Sequence, residues 1–436
     1  MITQERQRWE PDQTDIERLL SGLRPETARI LEKPFQDRDI TPEEGERLFF
    51  ARANELEALL RVADALRRQA VGDEVSFVIN RNINFTNVCH MGCRFCNFRR
   101  RIDDPDAEWL SFEEVAQRAE DAWNRGATEV CIQGGLHPDL QGDDYRNILR
   151  AIKARVPDMH IHAFSPYEIW YGAKKDRRTP EDFIRNLKEH GLGSIPGTAA
   201  EILDVEVRRI LTRNKLSADE WEHIIRAAHA AGVPTTATIM YGHVDEPRHW
   251  AHHIARIRAI QKDTGGFTEF VPLGFIHQNS PIFISGEARP GPTYSEHIRM
   301  HAVARLMLNG WIDNLQVSWV KMGPRLAQEA LSYGANDLGG TLMNERISRA
   351  AGAPYGEEIT PAEMVRMIRG AGRRPVRRNT AYEVMEAYDD HDPGICAPLV
   401  DRDDAQARTL GAVTGVRPAV IKEQLLFQSN NRKGIP

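Results

Sequence analysis

The sequence has no run of about 18 apolar residues, the length a membrane-crossing helix needs. Its first ten residues are polar and charged, with no apolar signal core. Both absences predict a cytoplasmic chain with no membrane span. An excess of charge of one sign is missing too: 57 Lys and Arg against 63 Asp and Glu leave a net charge of -6. That balance supplies no broad basic field for nucleic acid. Cysteine is scarce, and three of the five cysteines fall within about eight residues. Dispersed pairs would read as a disulfide framework, whereas clustered thiols in a cytosolic-looking chain read as metal ligands. The 436 residues, 41% hydrophobic and 28% charged, can bury a large core.

No sequence repeat is visible, but an α/β rhythm is. An N-terminal helical region (1–70) contains a long helix opening at Thr41-Pro42-Glu43-Glu44, a Thr cap with Pro in the first turn. From 71 to 385, strand-like segments at 75–85, 128–133, 159–164, 192–195, 235–241, 268–272, 315–317 and 337–338 alternate with amphipathic helices. Two of these helices start at Ser111-x-x-Glu114 and Ser217-x-x-Glu220. The alternation implies parallel βαβ units. Eight of them predict an α/β (β/α)8 TIM-type barrel with its active site at the C-terminal strand ends. A C-terminal extension (386–436) follows; it is acidic and loop-like over 389–405, with one weak helix over 417–427. Cys396 in this extension has no companion cysteine, which argues against an auxiliary cluster.

The chemistry concentrates where the first strand ends, at Asn82-Ile-Asn-Phe-Thr-Asn-Val-Cys89-His-Met-Gly-Cys93-Arg-Phe-Cys96. Cysteines separated by three and then two residues let one tight loop aim three thiolates at three corners of a [4Fe–4S] cubane. The fourth iron has no nearby cysteine, so a chelating small molecule can occupy it. Two plainer readings stand beside this one. The same spacing puts three residues on one side of a helix, although Gly92 would weaken it and buried free thiols pack no better than Leu. A four-ligand zinc site would need a further ligand, and His90, adjacent to Cys89, is awkwardly placed to supply it. Cys131, inside a strand, reads as core.

The cysteine loop, with Phe95 just before the last thiol, resembles the radical S-adenosylmethionine (SAM) superfamily. That resemblance implies a [4Fe–4S] cluster on Cys89, Cys93 and Cys96, SAM chelating the open iron, and Phe95 beside the adenine. Longer strings over about residues 48–382 resemble the family of the second subunit of FO synthase. They include Gln133-Gly-Gly-Leu-His-Pro-Asp-Leu140, His160-Ile-His-Ala-Phe-Ser-Pro166, Pro196-Gly-Thr-Ala-Ala-Glu-Ile-Leu203, Ile239-Met-Tyr-Gly-His243, Thr264-Gly-Gly-Phe-Thr-Glu-Phe-Val-Pro-Leu273 and Asp337-Leu-Gly-Gly-Thr-Leu-Met-Asn-Glu345. The family's activity is that of a 5-amino-6-(D-ribitylamino)uracil–L-tyrosine 4-hydroxyphenyl transferase of deazaflavin biosynthesis. The resemblance implies a transferase in which an external one-electron reductant feeds the cluster. SAM then yields an adenosyl radical, L-tyrosine loses its side chain, and a 4-hydroxybenzyl fragment joins the uracil. A partner radical SAM subunit would close the deazaflavin ring, since this chain has one cluster loop. Two departures are visible: Asp245 where the family usually has Glu, and Arg346 where its string has Ser.

Further candidates lie at strand ends. Gln133, Gly134 and Gly135 follow a strand, and paired glycines expose backbone to a ligand; by resemblance this stretch meets the methionine amine. Glu201 reads either as an acceptor for ribose hydroxyls or as a carboxylate complementing a helix dipole. Met240 and Gly242 end the fifth strand, where the superfamily lets backbone meet adenine. His137, His162, His243, Glu269, Asn344 and Glu345 are substrate candidates near the mouth, and Glu269 is costly to bury unless paired. A sibling such as aminofutalosine synthase, and a non-catalytic metal-binding protein, are the rival readings.

Overall fold

The computed structural model describes residues 13–212 and 214–388. The stretch from residue 389 on, with Cys396 and the helix expected over 417–427, lies outside the described residues.

The expected strand at 75–85 is two strands, β1 (Glu74–Val78) and β2 (Asn80–Asn84), because the run changes partner at Ile79. β2 pairs in parallel with β3 (Glu129–Gln133), and β3 with β4 (His160–Ala163). β5 (Thr235–Tyr241) pairs in parallel with β6 (Phe267–Gly274), and β7 (Asp337–Gly340) with β1. The fourth and seventh positions, expected as strands at 192–195 and 315–317, are only single parallel bridges. His162 meets Ser194, Ile195 meets Thr235, Phe270 meets Leu315, and Gln316 meets Asp337. Pro196 lacks the N–H that would extend the first of these segments. At the second, the Leu315 N–H donates to the Asn336 side chain at 2.8 Å instead of to a ladder carbonyl. A last bridge from Arg81 to Met343 brings the circuit back to β2. Eight strand positions thus follow one another around a parallel ring, and the fold is the radical SAM type of α/β barrel.

β8 (Arg374–Arg378) and β9 (Val384–Ala387) are not among the expected strands. β8 runs parallel to β1 on the side that β3 takes along β2, and β9 closes an antiparallel hairpin on it. Outside the ring, helix starts follow their sequence signals. Thr41, Ser111 and Ser217 each complete a capping box with a Glu three residues on. The helix opening at Thr41 is nevertheless short, Pro42–Phe49; the long one is the next, Asn54–Val71. Among the described residues no helix is long and apolar enough to cross a membrane.

Because strand side chains alternate, every second residue faces inward. Glu129, Cys131 and Gln133 of β3 line one cavity, as do Thr236, Thr238 and Met240 of β5 and Glu269, Val271 and Leu273 of β6. Val130, Ile132, Ala237 and Ile239 point the other way and are buried. Cys131, read from the sequence as core, therefore faces the cavity.

Candidate active site

The cavity has a volume of about 430 Å³ and lies inside the ring, with Cys89, Cys93, Cys96 and Phe95 on its wall. Neighbouring segments hold the cysteine loop. The Cys89 N–H donates to the Arg100 carbonyl at 3.1 Å and that of Arg94 to Leu211 at 2.9 Å. The Cys93 thiol donates to Thr212 Oγ1 at 3.7 Å. Burial pushes the Cys89 thiol above its ordinary value and that of Cys93 up to about 11. All three thiols are free. The segment is a loop rather than a helix, so the helical-stripe reading fails. His90 is turned away, with Nδ1 2.6 Å from the Leu136 carbonyl and its ring 5.4 Å from that of Tyr171. Among the described residues no three His, Cys, Asp or Glu side chains converge on a single ion.

The glycine turn after β3 lines the cavity and also packs against the cysteine loop. A Cβ on Gly135 would stand 2.3 Å from the Val88 carbonyl oxygen and 2.9 Å from Cys89 Cβ; one on Gly134 would strike the Phe85 ring at 2.5 Å. The glycines let the turn press against the base of the cysteine loop. Their N–H groups are used internally, Gly134 donating to Glu168 Oε1 at 2.9 Å and Gly135 to the Thr86 carbonyl at 2.8 Å. Glu168 also accepts from the Ser165 N–H and hydroxyl, both at 2.7 Å, and burial pushes its carboxyl up to about 7. Gln133 reaches across to Thr198 Oγ1 at 2.8 Å.

Glu201 lines the cavity as a paired carboxylate, 2.5 Å from Lys215 Nζ and 3.4 Å from Arg208. The next helix, Val205–Leu211, is capped by Asp204, which removes the dipole reading of Glu201. The Lys215 ammonium lies 5.3 Å from the centre of the Phe95 ring. Met240 lines the cavity and its N–H donates to the Glu201 carbonyl at 2.9 Å. Gly242 does not line it: at φ 95°, it belongs to a turn packed against Pro292 and closed by the Asp245 carboxylate. His243 is absorbed in the same turn, with Nε2 2.9 Å from the Met240 carbonyl. His137 packs its ring 4.2 Å from that of Trp109, away from the cavity. Asn344 is exposed and takes the left-handed conformation (φ 65°) that Asn tolerates.

His162, Glu269 and Glu345 do line the cavity. His162 shares a hydrogen bond with Ser194 Oγ at 2.7 Å, and burial pushes its imidazole down to about 4. Glu269 accepts from the Tyr382 hydroxyl and lies 3.5 Å from Arg378, which also binds Asp337 at 2.6 and 3.1 Å. Burial pushes the Glu269 carboxyl above its ordinary range against the pull of Arg378. Arg346, the departure noted in the sequence, does not line the cavity; its guanidinium pairs with Glu108 at 2.5 Å.

Comparison with known proteins agrees with this geometry. Residues 83–257 match the radical SAM superfamily, and residues 264–391 match the CofH/MqnC C-terminal region. The 5-amino-6-(D-ribitylamino)uracil–L-tyrosine 4-hydroxyphenyl transferase of Methanopyrus kandleri is 56% identical over 330 residues, 76% of this chain and 89% of that one. The chain belongs to that radical SAM family. FO synthase of Mycobacterium tuberculosis is 54% identical over 346 residues, which are 79% of this chain and 40% of that longer protein. Among solved structures, the FeFe-hydrogenase maturase HydG of Carboxydothermus hydrogenoformans has a TM-score of 0.62 at 17% identity, over 85% of this chain and 83% of that one. Methylornithine synthase (PylB) has a TM-score of 0.56 at 16% identity, over 90% and 99%. Both show the fold.

Radical SAM membership implies a [4Fe–4S] cluster and SAM, and the residues present fit both. Three free thiols from one loop line the cavity, the donor set that three irons of a cubane take. Beside them the cavity offers the Phe95 ring and the buried Asn82 Oδ1, an acceptor with no hydrogen-bond partner among the described residues. Several lining residues escaped the sequence reading: Glu168, Lys215, Lys321, Arg378 and Thr380. Glu168 had a readable signal, the capping box with Ser165. Arg378 and Thr380 arrive with the unexpected β8, and Lys215 and Lys321 carry no local pattern.

Proposed function

We propose that this chain is a cytoplasmic radical SAM enzyme that transfers the 4-hydroxybenzyl group of L-tyrosine to 5-amino-6-(D-ribitylamino)uracil in deazaflavin biosynthesis. The observation behind this reading is a single cavity. It carries three cysteines and a glycine turn from the β2–β3 side and a polar lining from β6, β8 and the segment after β7. Bound together, the cluster and SAM supply one-electron cleavage to a 5′-deoxyadenosyl radical, drawn from an external reductant. The chain's own residues do the holding. Cys89, Cys93 and Cys96 ligate; Phe95, Met240 and the paired Glu201 and Lys215 border the adenosyl side; Gln133, Gly134 and Gly135 border the methionine end. His162, Glu269 and Glu345 face the substrates. His162 is neutral at pH 7, so it orients through hydrogen bonds rather than charge. Fixing both substrates near attack distance, with water excluded, is the barrel's main contribution. The same reading keeps the division into a helical region 1–70, a barrel 71–385 and an extension 386–436, and a partner radical SAM subunit that closes the ring.

The test is an anaerobic incubation of the reduced, reconstituted enzyme with SAM, L-tyrosine and the ribityl-uracil. The expected products are 5′-deoxyadenosine and a uracil adduct heavier by the tyrosine side-chain fragment. An adduct formed only with another acceptor would move the chain to a sibling such as aminofutalosine synthase. No deoxyadenosine with any substrate would leave a metal-binding protein. L-Phenylalanine should react about 10- to 100-fold less well if the phenol is hydrogen-bonded, since an unpaired buried partner costs about 1–3 kcal/mol.

A further inference from the structure

Among the described residues, four lysine and arginine side chains line the cavity: Arg99, Lys215, Lys321 and Arg378. Three are accounted for. Arg99 is exposed and donates to the Met91 carbonyl at 3.0 Å. Lys215 pairs with Glu201, and Arg378 with Asp337 and Glu269. Lys321 differs. Its ammonium has no hydrogen bond or ion pair to any described residue, although it is held inside the barrel. It sits on the short helix Trp319–Met322, pinned by the Trp319 indole N–H donating to the Gly340 carbonyl at 3.0 Å. Burial lowers its pKa, and Glu345 first and then the Cys96 thiol work against that. Yet Glu345 makes no ion pair with Lys321: its two carboxylate oxygens both accept from the Ser348 N–H at 3.0 Å. One wall of the cavity therefore presents a half-buried cation and a buried anion that do not close on each other. Such a cation can donate a charge-assisted hydrogen bond to an anionic ligand in the cavity.

On the function proposed above, the ligands offer two carboxylates, because the ribityl-uracil has none. That of SAM belongs with the methionine end beside the glycine turn after β3, whereas Lys321 and Glu345 follow the seventh and eighth strand positions. We infer that Lys321 receives the α-carboxylate of L-tyrosine and Glu345 its α-ammonium, the two forming an opposite-charge clamp for a zwitterionic head group. The clamp fixes the end of the amino acid that the reaction leaves behind, so the side chain can be aimed at the uracil.

The test measures binding without turnover. Reconstituted enzyme with SAM and the ribityl-uracil, but no reductant, is dialysed against labelled L-tyrosine, tyramine (no carboxylate) or 3-(4-hydroxyphenyl)propionate (no amine). Lys321→Met should bind L-tyrosine about 10- to 100-fold more weakly while tyramine binding is unchanged, the range expected for a charged hydrogen bond. Lys321→Arg should recover part of the affinity. Glu345→Gln, which keeps an acceptor for Ser348, should weaken L-tyrosine but not the propionate. The inference is overturned if Lys321→Met binds L-tyrosine as the wild type does, weakens tyramine equally, or loses SAM instead. If Lys321→Met does not fold, wild-type L-tyrosine affinity in Glu345→Gln overturns it. A wild type that binds SAM but no L-tyrosine points instead to failure of the proposed function.

Discussion

Because burial holds the Cys93 thiol near 11, it stays protonated at neutral pH until a cation draws the thiolate out, and each such ligation releases a proton. Cys131 faces the same cavity, but from inside β3, away from the loop that carries the other three thiols. Cys93→Ala should therefore lose the iron–sulfur chromophore or hold it unstably, while Cys131→Ser keeps it. Iron and sulfide content after anaerobic reconstitution decides the matter, and full content in Cys93→Ala would remove the cluster assignment. His162 makes a prediction of opposite electrostatic sense. Its folded-state pKa is about 4 against an ordinary 6.5, so the folded chain refuses a proton that the unfolded chain accepts. Stability from this residue is complete above pH 6.5 and is lost as pH falls toward 4, by roughly 3 kcal/mol at most. His162→Gln lacks that loss. The wild-type advantage in urea unfolding, measured on cluster-free protein, should shrink by that amount between pH 6.5 and 4. An unchanged difference would mean that the imidazole is not buried.

At the scale of elements, the cysteine loop and the turn after β3 act as one unit, because only a glycine lets them touch. Gly135→Ala drives a methyl group into the Val88 carbonyl and Cys89 Cβ, and the backbone there has to move. About 1–3 kcal/mol of overpacking is expected, expressed as loss of iron content rather than as weakened SAM affinity alone. Gly92→Ala is the control, since a Cβ there meets nothing within 4 Å. Equal iron content in both variants would separate the turn from the loop. Much of this was legible beforehand: the spacing of the three cysteines, the capping boxes at Ser111 and Ser217, and the parallel rhythm of β3 to β7 are local patterns. The internal role of Gly134 and Gly135 was not, because it depends on Phe85 and Val88, some 50 residues earlier. His137 and His243 stand at strand ends as expected, but one residue's rotation decides whether a ring meets the cavity, and both turn into the protein. β8 was illegible for a different reason. Arg-Pro-Val-Arg-Arg reads as a charged loop, and becomes a strand only because β1 offers it a free edge.

For the molecule as a whole, the hairpin of β8 and β9 ties the end of the described chain to its beginning. Arg378 is the knot. Its guanidinium lies 3.9 Å from the centre of the Tyr382 ring, binds Asp337 on β7 and approaches Glu269 on β6. Ser76 of β1 donates to the same Asp337 carboxylate at 2.5 Å, and Thr380 donates to Glu129 of β3 at 2.6 Å. Strands from opposite ends of the sequence thus share buried polar contacts beside the ring. Such a network stabilises little by being present, but removing one charge strands the others. Arg378→Met leaves Asp337 and Glu269 buried without their cation and should cost about 3–5 kcal/mol in urea unfolding. Adding Asp337→Asn to that variant should restore part of the loss, because one of the two stranded charges is then gone. If Arg378→Met unfolds at the wild-type midpoint, the hairpin adds nothing to the barrel, and the ring holds through its own ladders and bridges, including β1 with β7 and Arg81 with Met343.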